Sequence, residues 1–112
     1  MKDKIHMDVK VYIAGKITGE PVNQCVEKFK LAQNTIRGFC KLQNWAENHV
    51  VTPFDLPGIT FGISHHKAME ICLEALKDCD IIYMLNDWKD SPGARMEHEF
   101  ALKSNKEIMY QK

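Results

Sequence analysis

Glu97 carries the strongest chemical signal in this chain. It lies within DIIYMLNDWKDSPGARMEHEFA, residues 80–101. Ala94, Glu97, Ala101 and Ser104 recur at three- and four-residue intervals, with Phe100 beside them, so Glu97 falls on the stripe of a helix that should face the interior. A carboxylate on such a stripe is costly unless it is partnered or stands in a solvated cleft. Three readings follow: an ordinary salt bridge, a helix rotated so that Glu97 is exposed, or a catalytic carboxylate at the mouth of a strand–loop–helix unit.

The flanking residues supply that unit. Ile81 to Leu85 are five uninterrupted apolar residues, as expected of a strand buried on both faces of a parallel sheet. Asn86 to Asp90 interrupt them with polar residues and Trp88, and Ser91-Pro92 reads as a helix start, hydroxyl at the N-cap and proline at the first helical position. Upstream, Val9 to Ala14 alternates as a first strand, and Gly15 and Gly19 bracket the turn GKITGE. Glycines just after a first strand allow close approach of backbone to a ligand. Their spacing is not that of a dinucleotide fingerprint, and the phosphate-loop signature is missing.

Pro21 opens a long amphipathic segment in which Val22, Val26, Phe29, Ile36, Phe39 and Cys40 keep helical spacing. Gly38 weakens its last turns, the polar run Gln43 to Asn48 ends it, and Trp45 folds back on the core. His49 to Thr52 is a short second strand stopped by Pro53. Pro53 to Ser64 is irregular but rich in Phe54, Leu56, Ile59, Phe61 and Ile63, too apolar for a solvated loop, and reads as a lid or a subunit contact. Ser64 caps a helix from His65 to Asp78, with Ala68, Ile71, Cys72, Ala75, Leu76 and Cys79 as its buried stripe. His65 and His66 are adjacent and point to different sides, which suits first-turn surface residues better than a metal pair. After a turn at Asn105-Lys106, Glu107 to Tyr110 forms a last strand.

Strands and helices therefore alternate, and right-handed crossovers give a small α/β, flavodoxin- or Rossmann-like three-layer domain with a parallel sheet of about four strands in the order 2-1-3-4. GKITGE, PFDLPG and NDWKDS all emerge at the carboxyl ends of its strands, where such sheets bind ligands. At 112 residues the chain makes one domain, residues 1–112. Fifteen basic and fifteen acidic residues cancel without large clusters, which argues against a nucleic-acid polymer or an anionic membrane as partner. No apolar run approaches spanning length, and MKDKIHMD is not a signal peptide. Cys25, Cys40, Cys72 and Cys79 lack C-x-x-C spacing and suit buried free thiols in a reducing cytoplasm.

VYIAGKITG, CDIIYML and SPGARMEHEFAL, in this order and spacing, resemble the nucleoside 2-deoxyribosyltransferase-like family. That family includes the 2'-deoxynucleoside 5'-phosphate N-hydrolases and many small members, which this chain resembles most. Gly93, Glu97 and Ala101 reproduce the family spacing around its nucleophilic glutamate, so the resemblance implies that role for Glu97. Transferases place an aspartate six residues earlier, whereas the monophosphate hydrolases place a phosphate-binding serine, here Ser91. A serine with free amides at a helix start is also what anion binding requires. Tyr12 matches an aromatic that lines the sugar site, and Gly15, Lys16 and Gly93 fall on substrate-binding positions. Three positions depart from the pattern: Cys72 replaces an aspartate that contacts the sugar, Glu99 replaces a frequent glycine, and Lys16 replaces a second phosphate-binding serine.

The implied chemistry is cleavage or transfer at an N-glycosidic bond of a nucleoside or nucleoside 5'-monophosphate, with retention and with no cofactor or metal. Asp87 or Asp90 would protonate the departing base from the loop. The alternatives are a non-catalytic nucleotide-binding or sensing module, favoured by Cys72, and a phosphoacceptor domain using Asp87, disfavoured because no paired acidic cluster follows the first strand. A homodimer or larger homo-oligomer is expected, because the sheet is small and the loop at Pro53 to Ser64 is apolar.

Overall fold

A computed structural model describes residues 9–46, 49–60 and 62–112. Phe61 lies outside these residues. Four parallel strands are ordered β2-β1-β3-β4, with β1 at Val11–Ala14, β2 at Val50–Val51, β3 at Ile81–Met84 and β4 at Glu107–Tyr110. The order expected from the sequence is the one observed. In register, Val11 pairs with both Val50 and Ile81, and Ile81 pairs with Glu107.

Helix α1 (Val22–Leu42) covers one face, and α2 (His65–Lys77) and α3 (Pro92–Lys103) share the other. The period-two geometry of a strand divides β1 between the layers. Val11 and Ile13 meet Cys25, Phe29, Ala32 and Ile36 of α1, while Tyr12 and Ala14 meet Cys72, Leu76, Ala94 and Ala101 on the other side. All four residues of β1 and of β3 are buried, which explains the unbroken apolar run of β3. Leu85, just past β3, is also buried and donates its N–H to the Ala14 carbonyl at 2.8 Å.

Several boundaries differ from expectation. β1 starts at Val11 rather than Val9, and β2 pairs only Val50 and Val51 rather than His49 to Thr52. Thr52 instead caps a 3₁₀ turn, Pro53–Asp55, through a capping box with Asp55. Helix α1 continues through Gly38 to Leu42, and Asn44 ends the connection with φ 61°. Trp45 does fold back, edge-on to Phe39 with centroids 5.5 Å apart. Val22 is 48% exposed rather than buried in the core, and Ser104 is the exposed C-cap of α3 rather than part of its inward stripe.

The segment after β2 is fastened at its base. Buried Gln33 donates to the Val50 carbonyl at 2.7 Å and to the Asp55 carboxylate at 2.8 Å, and Phe54 packs edge-on against Phe29 at 5.4 Å. Asp55 thereby ties the loop to α1 as well as capping its first turn. The loop after β3 is held similarly: Trp88 stacks on His98 of α3 at 4.2 Å, and His98 Nε2 lies 2.7 Å from the Tyr110 hydroxyl of β4. These contacts fix the approach of the chain to Ser91. All four cysteines are free and buried. Among the described residues no helix is long and apolar enough to cross a membrane.

Candidate active site

The start of α3 follows the chemistry of its first residues. Ser91 is the N-cap and its Oγ accepts the Ala94 N–H at 3.1 Å, while Pro92 takes the first helical position, where no N–H is needed. Glu97 then falls one turn beyond Gly93, on the face toward the sheet. It is 4% exposed, so the rotated-helix reading does not hold. Nor does the salt-bridge reading: Tyr12 of β1, itself fully buried, donates its hydroxyl to Glu97 Oε2 at 2.6 Å.

Cys72 of α2 completes a cluster of three groups drawn from three elements, its thiol hydrogen-bonded with Tyr12 and lying within the field of the Glu97 carboxylate. Burial pushes the Glu97 carboxyl up from 4.5 to about 7, against the opposing effect of the Tyr12 hydrogen bond. Burial, and then the Glu97 charge, push the Cys72 thiol up to about 11. Burial and the same two neighbours hold the Tyr12 phenol well above its ordinary value. Tyr12 and Cys72 therefore stay protonated near neutrality, and Glu97 is the member of the trio that changes charge there.

The cluster borders a cavity of about 440 Å³ beyond the carboxyl ends of the strands. Gly15 and Gly19 of the first loop, Pro53 and Phe54 after β2, Met69 and Cys72 of α2, and Ser91, Gly93 and Glu97 all line it. The loop expected to be a lid or a subunit contact thus contributes a wall, with Ile59 and Ile63 as further lining residues. Gly15 has a packing reason beside its position: a Cβ there would stand 2.6 Å from Leu85 Cδ1. Gly19 has φ +85°, the left-handed region that glycine enters without strain.

Of the residues singled out from sequence, Gly15, Ser91, Gly93 and Glu97 line the cavity, while Tyr12, expected to line the sugar site, is not on the wall and reaches it through its bond to Glu97. Asp87, expected to address a base from the loop, and Lys16 are not among the residues that line the cavity, and the Asp87 carboxylate is engaged elsewhere. It pairs with Lys28 at 2.6 Å and accepts the Lys16 backbone N–H at 3.1 Å. Burial of Lys28 works against its charge, but the hydrogen bond and charge of Asp87 outweigh that and raise its pKa. Lys28 also donates to the Lys16 carbonyl at 2.8 Å and to Glu20 at 3.3 Å. Asp87 is therefore a brace between the first and third loops. The Lys16 ammonium lies 3.9 Å from Glu20. Asp90, the other acid considered, is exposed in the short turn Trp88–Asp90.

Sequence reasoning missed His65 and Met69. His65 is exposed, as expected, yet it lines the cavity, while His66 pairs with Glu70 at 3.2 Å. A signal was present: a helix that follows a strand in a parallel sheet starts at the ligand-binding edge, so its first residue belongs near the site. Among the described residues no group of three or more His, Cys, Asp or Glu side chains is placed to hold a metal ion.

Comparison with known proteins adds to this geometry. Residues 9–110 match the model of a family described as a domain of unknown function, DUF4406. The chain belongs to that family. No curated protein matches the DUF4406 chain. Among solved structures it is similar to a 2-desoxiribosyltransferase from Leishmania mexicana, at 18% identity and a TM-score of 0.59, covering 91% of this chain and 63% of the other. The DUF4406 chain thus spans less than two thirds of that protein, and the likeness establishes the fold.

Proposed function

We propose that this domain cleaves or transfers the N-glycosidic bond of a nucleoside or nucleoside 5'-monophosphate, with Glu97 as nucleophile. The observation that carries the reading is a buried carboxylate, bonded by Tyr12 at 2.6 Å, on the wall of a 440 Å³ cavity at the ligand-binding edge of the sheet. That volume lies in the range of small-molecule sites, about 300–1,000 Å³. The transferase named for the similar structure supports the chemistry by analogy of fold.

In the proposed reaction a Glu97 carboxylate oxygen attacks the anomeric carbon as the bond to the base breaks, and the base leaves with the bonding pair and takes up a proton from water. Water or a second nucleobase then displaces the glutamate from the glycosyl ester, so that two inversions give retention. Tyr12, kept protonated, orients the carboxylate and stabilises its ionised form. Because Glu97 must be ionised to attack, turnover should rise as pH passes through about 7.

Cys72 favours a second reading, in which the cavity binds or senses a nucleotide without cleaving it. A thiol held protonated up to about pH 11 supplies no charge beside the sugar, where the enzymes that the sequence resembles carry a carboxylate. The two readings part in one assay: a panel of nucleosides and 5'-monophosphates incubated with the protein and analysed by chromatography. Released base supports cleavage. Binding without release supports the sensor.

The buried free thiols favour a reducing, cytoplasmic setting. A homo-oligomer is the assembly expected from the small sheet and the apolar segment after β2. Light scattering at micromolar concentration checks it: a mass near 12.9 kDa rejects the assembly, and a multiple of it supports it.

A further inference from the structure

The charged side chains around the cavity are unevenly placed. Its described lining includes two carboxylates, Glu20 and Glu97, and no lysine or arginine. The nearby ammonium groups are engaged outside it, Lys28 with Asp87 at 2.6 Å and Glu20 at 3.3 Å, and Lys16 beside Glu20 at 3.9 Å. Cys25 and Cys72 also face the cavity, with their thiols pushed up by burial and therefore neutral. An anionic ligand entering this space meets no lysine or arginine side chain on the described wall.

His65 is the basic side chain among the described lining residues. It occupies the first position of α2, after the Ser64 cap, and makes no hydrogen bond or ion pair with the other described residues. Its place is fixed relative to the start of α3. A Cβ built on Gly93 would stand 3.5 Å from His65 Cε1 and 3.9 Å from Ser91 Oγ, so imidazole and hydroxyl flank the same glycine. Met69 Sδ, 3.0 Å from that point, closes the third side. The absence of a side chain at Gly93 keeps this corner of the cavity open.

We propose that His65 is the specificity-determining basic side chain of the cavity: its imidazole hydrogen-bonds the phosphate monoester of the ligand at the Ser91–Gly93 corner, and it makes binding depend on that phosphate. Histidine suits the task because its ring N–H donates to the oxygens of an anion, and its Cε1 stands 3.5 Å from the point that a Gly93 Cβ would occupy. The charge-assisted bond then replaces the lysine or arginine that the cavity lacks. The role rests on the nucleotide reading above, and it extends that reading by naming the residue that separates monophosphate from nucleoside.

Calorimetry with the four deoxynucleosides and their 5'-monophosphates tests it, using the full chain and the variants His65→Gln and His65→Lys. The wild type should bind at least one monophosphate more tightly than its nucleoside. His65→Gln should weaken monophosphate binding about tenfold while nucleoside binding stays within about twofold. His65→Lys, which places a cationic donor there, should retain the preference. An unchanged monophosphate-to-nucleoside ratio in His65→Gln overturns the role of His65 and leaves the nucleotide reading standing. An equal loss for both compounds also overturns it, because it marks a structural role. A wild type that binds neither compound overturns the nucleotide reading and this role with it.

Discussion

Replacing Glu97 by glutamine should change the pH dependence of stability in a defined direction. The carboxyl has a pKa of about 7 in the folded chain against 4.5 when unperturbed, with burial as the main cause. The folded state therefore holds this proton more tightly than the unfolded state does. That contribution is fully present below pH 4.5 and is lost as pH rises through about 7. At 1.36 kcal/mol per pKa unit the loss is about 3 kcal/mol, a large part of the stability of a small domain. Glutamine keeps the shape and an oxygen that can accept the Tyr12 hydroxyl, but it never ionises. Glu97→Gln should thus match the wild type at pH 4 and exceed it by up to about 3 kcal/mol at pH 8, measured by urea unfolding. Other titrating groups cancel in the difference between the two proteins. A difference that does not change between the two pH values would refute the reasoning, and so would one that shrinks as pH rises.

Three further outcomes follow from the same geometry. Tyr12→Phe removes the hydrogen bond that lowers the Glu97 pKa, so the rising limb of activity should move to higher pH and turnover near neutrality should fall about tenfold or more, read from base release across pH. Ser91→Ala should weaken monophosphate binding by roughly 1–2 kcal/mol through the lost hydroxyl and lower stability by about 1 kcal/mol through the lost helix cap, measured by calorimetry and by urea unfolding. Gly15→Ala should destabilise by about 1–3 kcal/mol, because the added methyl would stand 2.6 Å from Leu85 Cδ1; thermal unfolding checks it.

How much of this was legible in the sequence depends on whether the deciding contact is local. Ile81 to Leu85 announces a strand buried on both faces because each side chain must be apolar whichever layer it meets. Ser91-Pro92 announces a helix start because cap and first turn are neighbours in the chain. Glu97 was legible because three- and four-residue spacing fixes its face. Asp87 was not: its partner Lys28 is 59 residues away, and an acidic residue in a loop looks the same whether it faces a ligand or a lysine. The extent of β2 was hidden for a related reason. Val50 and Val51 pair with Val11 and Tyr12, but Thr52 has a competing use for its backbone and hydroxyl in the turn bonded to Asp55. His65 reads as an exposed first-turn residue, and only the approach of α3 brings Gly93 beside it.

The central claim is that Glu97 carries the glycosyl group between two half-reactions. Acid quenching during turnover, followed by digestion and mass spectrometry, addresses it directly. Glu97 should gain the mass of the sugar or sugar phosphate as an ester, and Glu97→Gln should show neither the adduct nor released base. Base release that persists in Glu97→Gln, or an adduct found on another residue, would contradict the account.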